Sequence, residues 1–176
     1  MSKIYLTSDT HFNHENILKY EEIRNFPSVE VMNEKIIENW NSVVGDDDLV
    51  YMLGDIFMGP LDGIDEIMPR LKGRKYLVIG NHDTAPRVER MSKYLEGSSD
   101  MLIIRLPKKK RATLCHYPMR EWYGKDQGCV HFYGHVHGNE HRGGLNTERG
   151  SFHIGMDTNN LTPIALEYAI EQAMKE

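Results

Sequence analysis

A chain of 176 residues with 40% hydrophobic and 27% charged residues is long enough to bury a sizeable core and reads as one globular domain, neither fibrous nor low-complexity. Its formal charge of −5 argues against a general nucleic-acid-binding surface but leaves a phosphate-bearing substrate open. Cys115 and Cys129 have no CxxC spacing, the first residues do not read as a signal peptide, and no apolar run approaches the ~18 residues of a membrane helix, so a reduced, cytoplasmic protein is expected.

Lys3 to Ser8 reads as a first buried strand, ending at Asp9-Thr10-His11. His14-Glu15-Asn16 then leads into a short helix through Ile17, Leu18 and Ile23. Ser28 is a fitting N-cap for a longer helix, on which Val29, Met32, Ile36, Trp40 and Val43 recur at helical spacing. Gly45-Asp46-Asp47-Asp48 closes it as a solvated turn, since the three acids lack the spacing of calcium-loop ligands. Leu49 to Leu53 is a second strand, ending at Gly54-Asp55. A glycine-rich connection from Gly59 to Gly63 precedes a helix through Ile64, Ile67, Met68 and Leu71. Tyr76 to Ile79 is a third strand, and it ends at Gly80-Asn81-His82-Asp83. Taken alone, that tetrapeptide is equally well a polar turn.

Pro86 to Leu95 is expected to be helical. Met101 to Leu106 and Arg111 to Cys115 read as paired strands around Pro107-Lys108-Lys109-Lys110. Val130 to Tyr133 and Ser151 to Ile154 are further strands. A last helix is expected to begin with Thr162 as N-cap and Pro163 as its first residue, docked by Ile164, Tyr168 and Ala169. Strands alternating with helical segments are the grammar of an α/β protein, whose sites gather beyond the carboxyl ends of its strands.

Those ends carry the chemistry. Asp9 and His11 follow the first strand, Asp55 the second, and Asn81 and His82 the third. His116 follows the strand ending at Cys115, and His135 and His137 follow Tyr133. Imidazole, carboxylate and amide oxygen together suit a borderline divalent metal better than a soft thiolate site would. The set exceeds the ~four ligands of a structural zinc and suits two adjacent metals bridged by one carboxylate.

In order, Asp9-x-His11, Gly54-Asp55, Gly80-Asn81-His82-Asp83, His116 and Gly134-His135-x-His137 resemble the five motifs of the calcineurin-like metallophosphoesterases, and they span most of the chain. The resemblance implies a four-layer αββα sandwich of two mixed sheets flanked by helices. It implies one metal held by Asp9, His11, Asp55 and His137, and another held by Asp55, Asn81, His116 and His135, with manganese the first choice and iron, zinc or nickel alternatives. It implies a bridging hydroxide attacking phosphorus in line, with Asn81 and His82 toward the substrate, His82 as general acid and Asp83 placed to hold its ring. The family's protein phosphatases carry Asp-Arg-Gly after the bridging aspartate, whose arginine helps bind phosphate; this chain continues from Asp55 as Ile56-Phe57-Met58-Gly59. With no room for a large capping domain, that points to a small phosphate-ester substrate, a diester before a monoester. A nucleotide or sugar phosphomonoesterase is the alternative, and a metal-free interaction scaffold of the same fold a weaker one. Nucleic acid is not favoured, no membrane partner is expected, and the oligomeric state is open.

His14 and Arg24 are further candidates for substrate contact, weighed against a plain loop histidine and a solvated or helix-end arginine. His131 reads as structural, Cys115 as core and Lys108 to Arg111 as a charged hairpin tip; His141 and His153 stay uncommitted.

Overall fold

Residues 2–137 and 149–175 are described in a computed structural model of the chain. β1 (Ile4–Thr7), α1 (Val29–Val43), β2 (Leu49–Met52), α2 (Asp62–Ile67), β3 (Arg74–Val78), α3 (Ala85–Ser92) and β4 (Gly97–Ser99) alternate along the first half. The four strands lie parallel in the order β4-β3-β2-β1. A second sheet follows, from β5 (Met101–Arg105), β6 (Arg111–Cys115), β7 (Val130–Tyr133) and β8 (Ser151–His153), in that order. Its first pair is antiparallel and the other two are parallel, so this sheet is mixed. β9 (Ile164–Ala165) returns to pair antiparallel with β1 and makes the first sheet mixed as well, and α4 (Leu166–Ala173) follows it. The architecture is therefore the expected α/β sandwich of two mixed sheets with flanking helices.

Strand alternation sorts the core into two clusters. Tyr5, Val50, Met52 and Leu77 point to one face and pack with α1, α2 and α3 through Met32, Ile36, Trp40, Ile64 and Met91. Leu6, Leu53 and Val78 point the other way and meet Ala112, Leu114, Val130 and Phe132 of the second sheet, with Leu166, Ala169 and Ala173 of α4. Leu6, Leu114 and Phe132 are fully buried, and each such side chain stabilises the fold by about 2 kcal/mol. The first sheet is thus clamped between helices and a second sheet, which holds the carboxyl ends of its strands rigidly.

The Ser28 hydroxyl accepts the Val31 N–H at 3.4 Å at the start of α1. The helix buries Val29, Met32, Ile36 and Trp40, and Trp40 donates its indole N–H to the Lys72 carbonyl at 3.0 Å. Val43 stays at the surface while Val44, just past the helix, is buried in its place. The short helix expected after His14 is two 3-10 turns, Glu15–Lys19 and Glu22–Arg24.

At the C-terminus the expectation fails. Thr162 does not cap a helix: its hydroxyl donates to the Asn160 carbonyl at 2.9 Å. Ile164 and Ala165 pair with Leu6 and Tyr5, and the helix starts only at Leu166. Pairing to the open edge of β1 outweighs the Thr-Pro start signal, and a proline just before an edge strand costs the ladder nothing. Tyr168 is exposed, while Leu166 and Ala169 do the docking. Among the described residues no helix is long and apolar enough to cross a membrane.

Candidate metal centre

Five parallel strands, β1, β2, β3, β6 and β7, deliver polar residues past their carboxyl ends. The loops there are laced together. Asp9 N–H donates to the Gly54 carbonyl at 2.9 Å, His11 N–H to the Asp55 carbonyl at 3.1 Å and Phe12 N–H to the Ile56 carbonyl at 2.9 Å. Ser8 and Thr10 hydroxyls donate to the Leu53 and Ile56 carbonyls at 2.7 and 2.9 Å. This zipper holds unusual backbone. Asp9, His11, Asp55, His135 and His137 all have positive φ, between 50° and 71°. Such conformations are costly for residues with a β-carbon and persist where the surroundings over-determine them, typically at functional sites.

Gly54 and Gly80 are needed where the β2 and β3 loops touch. A β-carbon on Gly54, whose φ is +88°, would lie 2.6 Å from the Gly80 Cα and from His116 Nδ1. One on Gly80 would lie 2.4 Å from Asp55 Oδ1. Gly80 is required for this close approach, and its carbonyl accepts the Asp83 N–H at 3.2 Å in the turn that follows.

Two groups of side chains converge here: Asp9, His11 and His137, and Asp55, His116 and His135. Within each group the ligand atoms all lie within 4.8 Å of one another. In the first, the Nε2 atoms of His11 and His137 are 3.1 Å apart, and Asp9 Oδ1 is 3.9 and 3.7 Å from them. In the second, His116 Nε2 lies 3.4 Å from Asp55 Oδ2 and 3.0 Å from Asn81 Oδ1, so Asn81 adds an amide oxygen. Outer contacts fix the rings. His137 Nδ1–H donates to Asp157 Oδ2 at 2.5 Å and His116 Nδ1–H to the Leu53 carbonyl at 2.7 Å, which turns each Nε2 inward as a lone pair. Buried nitrogen lone pairs facing each other beside carboxylates need a proton or a cation between them. The donor set, imidazole with carboxylate and amide oxygen, fits a borderline divalent cation.

The electrostatics agree. Burial pushes the Asp9 carboxyl upward, and burial with repulsion from His137 and Arg24 holds His11 well below the usual imidazole range. Burial works against a charged His116, but hydrogen bonding to Asp55 and the charges of Asp9 and Asp55 overcome it and push it up to about 9. Burial likewise opposes the ionised Asp55, yet contacts from His116 and the His82 backbone N–H leave it below the usual carboxylate range. Around Asp55 the site favours positive charge, while His11 is kept neutral, the form in which an imidazole can ligate.

Residues 2–147 match the family model described as calcineurin-like phosphoesterase. The chain belongs to the calcineurin-like phosphoesterase family. It is 35% identical to an uncharacterized protein of Methanocaldococcus jannaschii over 97% of this chain and 91% of that one. It is 29% identical to the gene 66 protein of Mycobacterium phage D29, covering 93% of each. A solved structure of a protein of unknown function from Aquifex aeolicus superposes with a TM-score of 0.78 at 30% identity, covering 99% of this chain and 100% of that one. Family and candidate ligand groups together make this a metal-dependent phosphoesterase.

The remaining site residues of this phosphoesterase sort by what they touch. The His82 side chain is 45% exposed, its Nε2 lies 3.9 Å from Asp55 Oδ2, and its backbone N–H donates to Asp55 Oδ1 at 2.8 Å. Asp83 does not hold the His82 ring. Its Oδ2 accepts the N–H groups of Asp55 and Gly80 at 2.8 and 2.9 Å, and its Oδ1 accepts the Ile56 N–H at 3.1 Å. The carboxylate is a buried clamp between the β2 and β3 loops. His82 is steadied instead by Asp55 and by Arg87, which donates to the His82 carbonyl at 3.1 Å and the Met58 carbonyl at 2.8 Å.

Arg24 does not face the cleft. It is completely buried, donates to the Asp9 and Thr10 carbonyls at 2.5 and 2.8 Å, and pairs through Nε with Asp157. Its guanidinium is committed to the loop beneath the site, and its complete burial keeps it from a phosphate. His14 is half-buried with Nδ1 3.2 Å from His11 Nδ1, beside the first group. His131 is structural: buried, it donates to the Thr113 carbonyl at 3.1 Å and accepts the Met119 N–H at 3.1 Å. His153 is buried against Thr158, and burial brings it down to about 4. His141 lies outside the described residues. Cys115 is half-buried, and burial pushes its thiol up, away from a reactive thiolate. Arg24 as a support and Asp157 were missed in the sequence. The available signal was position: Asp157 comes just after the strand ending at Ile154, at the same edge as the ligands.

Proposed function

We propose that this protein is a dinuclear metal-dependent phosphodiesterase acting on a small phosphate ester. The reading rests on one observation above all: two ligand groups stand side by side, and the His82 imidazole, outside both, stays half-open to solvent beside Asp55. Asp9, His11 and His137 would hold one ion, and Asp55, Asn81, His116 and His135 the other, with Asp55 reaching across. Manganese is the first choice, as the family resemblance implies, and the donor set fits iron, zinc or nickel as well. When bound, the ions would supply an activated water near neutral pH and neutralise charge on the phosphate.

The chain supplies the rest. His137 and His116 are kept in the tautomer that points Nε2 inward, and Asp83 keeps the Asp55 and Asn81 loops in register. On this reading His82 would orient a phosphate oxygen and give its proton to the departing alkoxide, which its open position near Asp55 supports. The preference for a diester follows from charge. After Asp55, where the family's protein phosphatases carry Asp-Arg-Gly, this chain runs Ile56-Phe57-Met58-Gly59 with no arginine. Arg24 is committed beneath the site and Arg87 to backbone carbonyls. Of the described residues, neither Arg24 nor Arg87 offers a monoester dianion a guanidinium partner, whereas a diester monoanion needs less positive charge. A location in the cytoplasm is part of the same reading, from its free cysteines.

Hydrolysis of bis-p-nitrophenyl phosphate and p-nitrophenyl phosphate by manganese-loaded protein tests the preference. The diester is expected to have the higher kcat/KM; a monoester cleaved far faster would contradict it.

A further inference from the structure

Directly after His116 the chain presents Tyr117, and its ring belongs neither to the core nor to a ligand group. It is 44% exposed. Its centroid lies 5.0 Å from that of His116 and 4.9 Å from that of His135, with interplanar angles of 77° and 65°. It therefore stands on the rim of the second group, in ring contact with two of its histidines. The loop behind it is pinned at two points. Met119 N–H donates to the buried His131 ring at 3.1 Å. Trp122 is buried, donates its indole N–H to the Cys129 carbonyl at 3.0 Å and packs 5.5 Å from His131. Single exposed aromatics are ordinary on protein surfaces. A rigidly backed one beside the residues that would bind phosphate is pre-organised for a flat ligand.

We propose that Tyr117 is a stacking platform for the base of a nucleoside phosphodiester, an inference that rests on the phosphodiesterase reading above. Every nucleobase has a π-face, so one tyrosine recognises the class without reading sequence. The formal charge of −5 favours a small nucleotide over a long polymer, whose binding depends on many cationic contacts to phosphates.

Thymidine 5′-(p-nitrophenyl phosphate) and methyl p-nitrophenyl phosphate share a leaving group and differ by the nucleoside. With manganese-loaded protein, the ratio of their kcat/KM values isolates recognition of that part. The wild-type ratio is expected to be about tenfold or more in favour of thymidine, expressed in KM, as for one base on one aromatic ring. Tyr117→Phe should keep the ratio and Tyr117→Ala should bring it to within about threefold of unity. A wild-type ratio near one overturns the platform while leaving the phosphodiesterase reading intact, and needs no variant to be folded. A ratio that survives in Tyr117→Ala also overturns it. Metal-loaded protein that cleaves neither ester overturns both readings.

Discussion

Asp157→Asn is the most informative single change. In the structure the carboxylate serves two donors at once, Nδ1–H of His137 at 2.5 Å and Nε–H of Arg24, and both side chains of the Arg24 pair are essentially buried. Burial opposes the ionised Asp157, but those two contacts hold it below the usual carboxylate range. An asparagine has one oxygen and one NH2 for two donors. If the NH2 faces His137, Nδ1 must become the acceptor and the proton moves to Nε2, the atom that should face the metal. If it faces Arg24, a buried charge loses its acceptor. Loss of an outer contact of this kind weakens metal affinity by about 10- to 100-fold, or roughly 1.4–2.8 kcal/mol. The other orientation would uncover the buried guanidinium at a cost of about 3 kcal/mol in stability, a Tm loss of about 6–12 °C for a chain of this size, so the amide oxygen is expected to stay on Arg24 and the loss to fall on His137. Manganese titration of the metal-free protein by calorimetry, with a thermal melt of the same sample, reads both. One binding event should weaken, that of Asp9, His11 and His137, while the event at Asp55, His116 and His135 persists. Unchanged affinity in a folded variant, or equal weakening of both events, would refute the assigned role.

His82→Ala should retain full metal content by elemental analysis yet lose about 100-fold or more in kcat on esters with alkyl leaving groups, and much less on activated aryl esters, whose leaving group needs no proton; equal losses on the two would argue against proton donation. Away from the site, Asp65 on α2 accepts from Lys93 at 2.7 Å, Tyr94 at 2.8 Å and Arg90 Nε at 2.5 Å. Those hydrogen bonds, that of Lys93 foremost, bring its carboxyl from the usual 3.8 down to about 2. A depressed carboxylate contributes stability that is present above its unfolded value and lost as pH falls through its folded value. Denaturant unfolding should therefore find Asp65→Asn less stable than the parent near pH 5, with the gap closing as pH falls through about 2; a gap independent of pH would remove Asp65 from the acid response.

Much of the centre was legible because hydrophobic patterning and chemistry coincide. Runs such as Tyr76 to Ile79 announce a buried strand, and polar residues at such an end are unexpected unless something binds there. Asp9, His11, Asp55, His116, His135 and His137 were readable in this way, and the structure gathers them into two groups. What stayed hidden depends on partners remote in sequence. Asp83 beside His82 looks like its orienting carboxylate, but the N–H groups it serves include those of Asp55 and Ile56, 28 and 27 residues away. Arg24 and Asp157 are separated by 133 positions, and neither belongs to a motif. β4 is Gly97-Ser98-Ser99, with no branched or aromatic residue to mark a strand, and β9 is too short for alternation to register. Both exist because an adjacent strand edge was available to pair with.

The central claim is that two metal ions act together on a phosphodiester. Its most direct test is the rate of bis-p-nitrophenyl phosphate hydrolysis as manganese is added stepwise to metal-free protein, with bound metal measured at each step. Activity should rise until both ligand groups are filled, at two ions per chain. Full activity at one ion, or a folded protein that binds metal at neither group, would contradict it.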